Sequence, residues 1–258
     1  MRYTTKHLLL SAFFIAGSYS FAGAHDFWIS PGTIEAGKPA VIELGYSDNF
    51  PKTEAINKDR KFIFDDPTLV SKEGPLSLKA GSTNIEYISE KPLEKGSYIA
   101  TATYKPTFWS TLSDGSSKMQ NKSQLKDATS CEHWTRYAKT IINVGETDDF
   151  VTKPVGHALE LVPLKNPAEA KVGQPFKIQV LFNGRPRVGV KVLGTFADFS
   201  ENPASKAFYT VSDDKGQFDL IPLKGGYWKL MAEYQRPYSD KATCDTDDYD
   251  ASLSFDIQ

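Results

Sequence analysis

The sequence predicts an all-β protein: two tandem immunoglobulin-like or transthyretin-like antiparallel β-sandwich domains following a cleaved signal peptide. Three observations carry that expectation. Short runs of β-branched and aromatic residues recur along the chain, Gly, Pro, Asn and Asp separate them, and helical periodicity is hard to find anywhere. The second half holds about seven such runs in about 100 residues, the immunoglobulin-like count.

The first segment is not part of either sandwich. Arg2 and Lys6 precede an apolar run from Leu8 to Ala16, and Ala22-Gly23-Ala24 closes it with the small residues that a signal peptidase accepts. The run is shorter than the ~20 apolar residues of a membrane helix, and no Cys stands at the cleavage site to take a lipid. Residues 1–24 therefore read as a secretory signal, and the expected location is the periplasm. Removing them takes away two basic and no acidic residues, so the mature chain starts at His25 with 234 residues and a net charge of −4.

An N-terminal domain over 25–150 is expected to hold strands at 40–44, 62–64, 85–88, 98–104 and 139–144. Its pattern is broken by a long polar insertion at 106–130 that lacks a strand period, carries Trp109 near one end and runs into Cys131-Glu132-His133-Trp134. The polar stretch 145–154 reads as a linker. A C-terminal domain over 151–258 is expected to place strands at 159–162, 176–182, 190–193, 208–211, 218–221, 227–231 and 252–255. Within it Asn183-Gly184 and Asp214-Lys215-Gly216 supply the positive-φ residues of tight hairpins. Gly37-Lys38-Pro39 echoes Gly173-Gln174-Pro175, and Gly96-Ser97-Tyr98 echoes Gly225-Gly226-Tyr227. These echoes fit either a duplicated design or a common turn used twice.

Composition narrows the function. Lys and Arg number 30 against 32 Asp and Glu, with a pI near 6.1, so the broad basic surface that nucleic acid needs is missing. Hydrolase elbows, zinc-protease helices, phosphate-cradling loops and Cys-x-x-Cys pairs are absent from the sequence, and nothing in it supports an enzyme.

Histidine is scarce in the mature chain, where only His25, His133 and His157 remain, each at an edge of the expected strands. Imidazole suits nickel, cobalt, copper and zinc, which makes these three the candidate metal ligands, although isolated histidines also serve in packing. His25 differs from the others because its free α-amino group and its ring can chelate one divalent ion together. Cys131 and Cys244 are read either as a disulfide favoured by an oxidising compartment, or, for Cys131 beside His133, as a thiolate suited to Cu(I). Asp245, Asp247, Asp248 and Asp250 lack the spacing of an EF-hand loop and read as a solvated acidic hairpin tip.

The combination of Ala24-His25-Asp26-Phe27-Trp28 after a signal, Tyr137-Ala138-Lys139-Thr140-Ile141-Ile142, Gly156-His157-Ala158-Leu159-Glu160-Leu161-Val162-Pro163, Asn166-Pro167 and Gly184-Arg185-Pro186 resembles a bacterial periplasmic family of unknown-function domain proteins associated with nickel and cobalt uptake. The resemblance spans the mature chain. It implies a periplasmic accessory protein that binds a divalent transition metal, nickel or cobalt with copper possible, and serves a metal uptake transporter or outer-membrane receptor. It maps the family's opening motif onto His25, Phe27 and Trp28, and its second motif onto His157, Leu159 and Glu160. Cys131, His133 and Cys244 match no such motif. The competing readings are a non-catalytic structural or adhesive surface protein and a copper protein that uses its N-terminal His.

The paired cysteine count makes one prediction. Thiol titration of the unfolded, unreduced protein is expected to find no free thiol, and two titrating thiols would refute the bridge.

Overall fold

The computed structural model describes residues 25–258, and the segment assigned to the signal peptide, 1–24, lies outside them. The first half runs through β1 (Asp26–Pro31), β2 (Pro39–Ser47), β3 (Thr68–Ser71), β4 (Gly74–Leu76), β5 (Leu78–Ala80), β6 (Glu86–Pro92), β7 (Gly96–Leu112), β8 (Ser117–Lys118) and β9 (Ala128–Val144). The second runs through β10 (Leu159–Pro163), β11 (Phe176–Phe182), β12 (Arg185–Pro186), β13 (Lys191–Phe196), β14 (Phe208–Val211), β15 (Gln217–Leu220), β16 (Gly226–Pro237) and β17 (Thr246–Ile257). Helix among the described residues is confined to four short 3-10 turns, so the all-β class holds.

The halves repeat one pairing order. In the first, β1 pairs with β2, β2 with β6, β3 with β7 and β7 with β9. In the second, β10 pairs with β11, β11 with β15, β13 with β16 and β16 with β17. The sequence echoes fall at matching places. Gly37 and Gly173 both adopt positive φ, and each donates its N–H across to a carbonyl, of Leu93 and of Pro222 respectively, at 2.8 Å. Both turns need a residue with no Cβ penalty in that conformation, which is why the glycine recurs.

The last strands of the halves, β9 and β17, lie side by side in parallel, from Glu132 opposite Thr246 to Thr140 opposite Ser254. That ladder fuses the two larger sheets into a single nine-stranded sheet. The two smaller sheets cover it on opposite faces. One core gathers Phe27, Ile29, Ile42 and Leu44 under Ala100, Ala102, Ala138 and Ile142. The other gathers Leu159, Leu161, Ile178 and Val180 under Trp228, Leu230, Leu253 and Phe255, and takes Ile99 and Ile141 from the first half. Successive residues of a strand point to opposite faces. Ile141 and Ile142 therefore serve different cores, and β9 is buried on both sides.

Several expectations are corrected. Residues 62–64 form no strand; Lys58–Ile63 is a 3-10 turn capped by the Asn57 side chain, and only Phe64 makes a bridge, to Tyr104. The ends of the 106–130 insertion are not loop, because β7 and β9 stay paired as a long ribbon out to Leu112 and Ala128, with a bulge between Tyr104 and Thr107. The aspartates after Cys244 do not form a solvated tip. Asp247, Asp248 and Asp250 are buried in β17, where cationic and hydroxyl partners replace water. The 145–154 stretch is pinned rather than free: Asp148 caps the turn at Asp149–Thr152, its carbonyl accepts from Asn166, and Val151 is fully buried. No helix among the described residues is long and apolar enough to cross a membrane.

Gly45 shows how tightly the N-terminal strand is seated. It lies opposite Trp28 in the β1–β2 ladder, and a Cβ built there would stand 2.1 Å from the indole ring. Trp28 itself is fully buried. Gly45→Ala is therefore expected to destabilise the protein by about 1–3 kcal/mol, the usual penalty of overpacking, as read by chemical denaturation. Unchanged stability would show that the ring can move aside.

Candidate functional site

The N-terminal strand is held by a set of polar contacts from the other half. Asp26 opens β1 and pairs with Lys229 of β16 at 2.5 Å and with Lys206 at 3.7 Å. Burial works to raise its carboxyl pKa, but the two ammonium groups outweigh it and hold the group below the ordinary carboxylate value. The Lys229 ammonium also lies 4.6 Å from the centre of the Trp28 ring. The Ile29 carbonyl accepts from the Tyr227 hydroxyl at 2.8 Å and from the Ser254 hydroxyl at 2.9 Å. Arg136 of β9 donates to the His25 carbonyl, lies 4.6 Å over Trp134 and ion-pairs with Asp250 at 3.4 Å. Burial pushes the Asp250 carboxyl up to about 7 against the pull of Arg136.

These contacts hold the main chain at the start of β1 and leave the His25 side chain partly exposed. Its Nδ1 lies 3.1 Å from Oδ1 of Asp48, and its ring meets Tyr46 edge-on at 4.9 Å. The register accounts for the pairing. Asp26 stands opposite Ser47, so one step outward brings His25 beside Asp48.

The other two histidines lie elsewhere. His133 sits in the β9–β17 ladder opposite Asp247, with Nδ1 at 2.9 Å from the Asp247 carboxylate and its ring between Phe108 and Tyr238. Asp247 also accepts from Arg236 and from the Tyr249 hydroxyl, and these three donors hold its pKa below the ordinary value despite burial. His157 stacks on Tyr137 with ring centres 4.7 Å apart. Beside it Glu160 accepts from Lys139 at 2.6 Å and from the Val155 and Gly156 amides. Lys139 and Glu160 are both almost fully buried, and burial draws the Lys139 ammonium below its ordinary value against the opposing pull of Glu160.

Cys131 and Cys244 are bonded to each other, with Cα atoms 4.9 Å apart. The thiolate reading of Cys131 is thereby removed, since a sulfur in a disulfide is no soft-metal ligand. The bridge ties the start of β9 to the turn before β17. Asp245 reinforces it by accepting from the Cys131 amide and from Lys122 of the ribbon's end.

Among the described residues no three His, Cys, Asp or Glu side chains form a group that could hold a metal ion, so His25, His133 and His157 do not converge. A site built on His25 thus needs a donor that is not a side chain. Signal cleavage after Ala24 would supply it as the α-amino nitrogen. Together with the imidazole it would make a two-nitrogen donor pair, of the kind that suits divalent nickel, cobalt or copper.

Sequence reasoning missed Asp48, Arg136 and Lys229. Asp26 and Glu160 stood inside quoted motifs, but their cationic partners lie too far along the chain for spacing to reveal them. Only the strand register places Asp48.

His157 generates a pH prediction. Burial lowers its pKa from 6.5 to about 4, Glu160 opposing and Lys139 assisting. The ring stays neutral in the folded protein while the unfolded chain binds a proton near the higher value. Its contribution is therefore present above about pH 6.5 and is lost as pH falls toward 4. His157→Phe, which keeps an aromatic ring on Tyr137, is expected to flatten the fall in stability across that window when denaturation is followed as a function of pH. An unchanged slope would show that other groups carry it.

The protein is 24% identical over 246 residues to an uncharacterized protein of Haemophilus influenzae, an alignment covering 93% of each chain. Among solved structures it is similar to the D0-D1 domain of intimin, at 13% identity over 89% of this chain and 97% of that one with a TM-score of 0.21. It is also similar to a chimeric titin Z1Z2, at 9% identity over 91% and 97% with a TM-score of 0.20. Likenesses this low carry no argument about function. The match of residues 22–236 to the domain of unknown function DUF4198 is more than half the chain, and the protein belongs to that family.

Proposed function

We propose that the mature chain is a periplasmic accessory protein that binds a divalent transition metal, nickel or cobalt, in support of a metal uptake transporter or outer-membrane receptor. The observation that carries this reading is the setting of His25. Arg136 holds its carbonyl and Asp26 is anchored to Lys229, so the main chain is held while the imidazole stays accessible. Cleavage after Ala24 would place a second nitrogen on the same residue. The Cys131–Cys244 bridge agrees with export to an oxidising compartment.

In this reading the protein's own groups bind and present the ion, and no group transfer is involved. The α-amino nitrogen must be deprotonated and unblocked to act as a donor, and its ordinary pKa of about 7.7–8.0 makes that possible in mildly alkaline solution.

Calorimetry with nickel, cobalt and copper salts on three forms tests the reading: the correctly processed protein, the same chain extended by one Gly before His25, and His25→Ala. Extension is expected to weaken binding at least tenfold although the imidazole is retained, and His25→Ala to weaken it as much. Equal affinity of processed and extended forms would defeat the N-terminal site. Binding lost in His133→Ala or His157→Ala alone would move the site to that residue.

A further inference from the structure

The geometry points to Asp48 as the carboxylate ligand that completes the His25 site, an inference that rests on the N-terminal reading above. Two donor atoms bound side by side at about 2.1 Å from one ion lie about 3 Å apart. His25 Nδ1 and Asp48 Oδ1 are 3.1 Å apart. Nδ1 is also the ring nitrogen nearer the main chain, the one able to close a chelate ring with the α-amino nitrogen of the same residue. The carboxylate therefore sits at the nitrogen where the chelate would form.

Other carboxylates near the N-terminus are committed to cations: Asp26 to Lys229 and Lys206, Asp250 to Arg136. Asp48 has no lysine or arginine within ion-pair distance among the described residues, although its charge reaches Lys229, and its side chain is 41% exposed, enough for an ion to reach it. A neutral amine, a neutral imidazole and one carboxylate leave a bound divalent ion with a single compensating negative charge. The oxygen donor also disfavours Cu(I), which prefers soft sulfur ligands.

The competing role for Asp48 is a hydrogen bond that only orients the ring, and Asp48→Asn separates the two because the amide oxygen can still accept from Nδ1–H. The processed wild type, Asp48→Asn, Asp48→Ala and the Gly-extended chain are titrated with nickel chloride at about pH 8, and copper(II) spin resonance is recorded on each. Asp48→Asn and Asp48→Ala are both expected to weaken nickel binding on the order of tenfold or more and to change the copper spectrum. Thermal unfolding of the metal-free proteins is expected to stay close to wild type, since an exposed pair contributes little to stability. Wild-type affinity and an unchanged spectrum in Asp48→Asn, with binding lost in the Gly-extended chain, would overturn Asp48 as a ligand and leave the His25 chelate standing. Wild-type affinity in the Gly-extended chain would overturn the N-terminal site itself.

Discussion

The parallel pairing of β9 with β17 is the constraint on which the rest of the molecule depends. Each strand ends a half, so the ladder makes one sheet of two, and the small sheets cover it from opposite faces. A strand enclosed on both faces cannot send its polar side chains to water. Every charge on the enclosed part of β9 must therefore find a partner inside the protein.

Those partners come from the other half. Lys139 of β9 meets Glu160 of β10, Arg136 of β9 meets Asp250 of β17, and Lys229 of β16 meets Asp26 of β1. His133 with Asp247 and the Cys131–Cys244 bridge repeat the arrangement at the ribbon end. Removing one member of a buried pair typically costs about 3–5 kcal/mol, because the charge left behind has neither water nor a counterion. Pulling the halves apart would strand several such charges at once, so these pairs oppose separation of the halves more effectively than the same residues would on a surface. The Asp26–Lys229 pair also anchors β1 against the central sheet next to His25.

The N-terminus combines a fixed backbone with accessible donors. Hydrogen bonds from Arg136 to the His25 carbonyl and from Tyr227 and Ser254 to the Ile29 carbonyl, together with the enclosed Trp28, fix the main chain at the start of β1. At that point His25 and Asp48 form a partly exposed pair. A metal site assembled there would be set by the core beneath it, since the supporting contacts lie in β9, β16 and β17 rather than in a loop.

By itself the sequence determined the all-β class, the tight Asn183-Gly184 hairpin, most of the strands and the matching glycine turns, because these depend on local alternation and on backbone angles that glycine or asparagine permits. It also singled out His25 from the processing signal, and an even cysteine count made a bridge plausible. Tertiary structure alone decided that Asp247, Asp248 and Asp250 are buried partners rather than a solvated tip, that both ends of the insertion are strand, and that Asp48 rather than His133 or His157 stands beside His25. The reason is that each of these outcomes depends on which strand lies next to which. A parallel β9–β17 pairing between residues more than 100 positions apart leaves no periodic trace in either strand, and it brings Arg136 opposite Asp250 and His133 opposite Asp247.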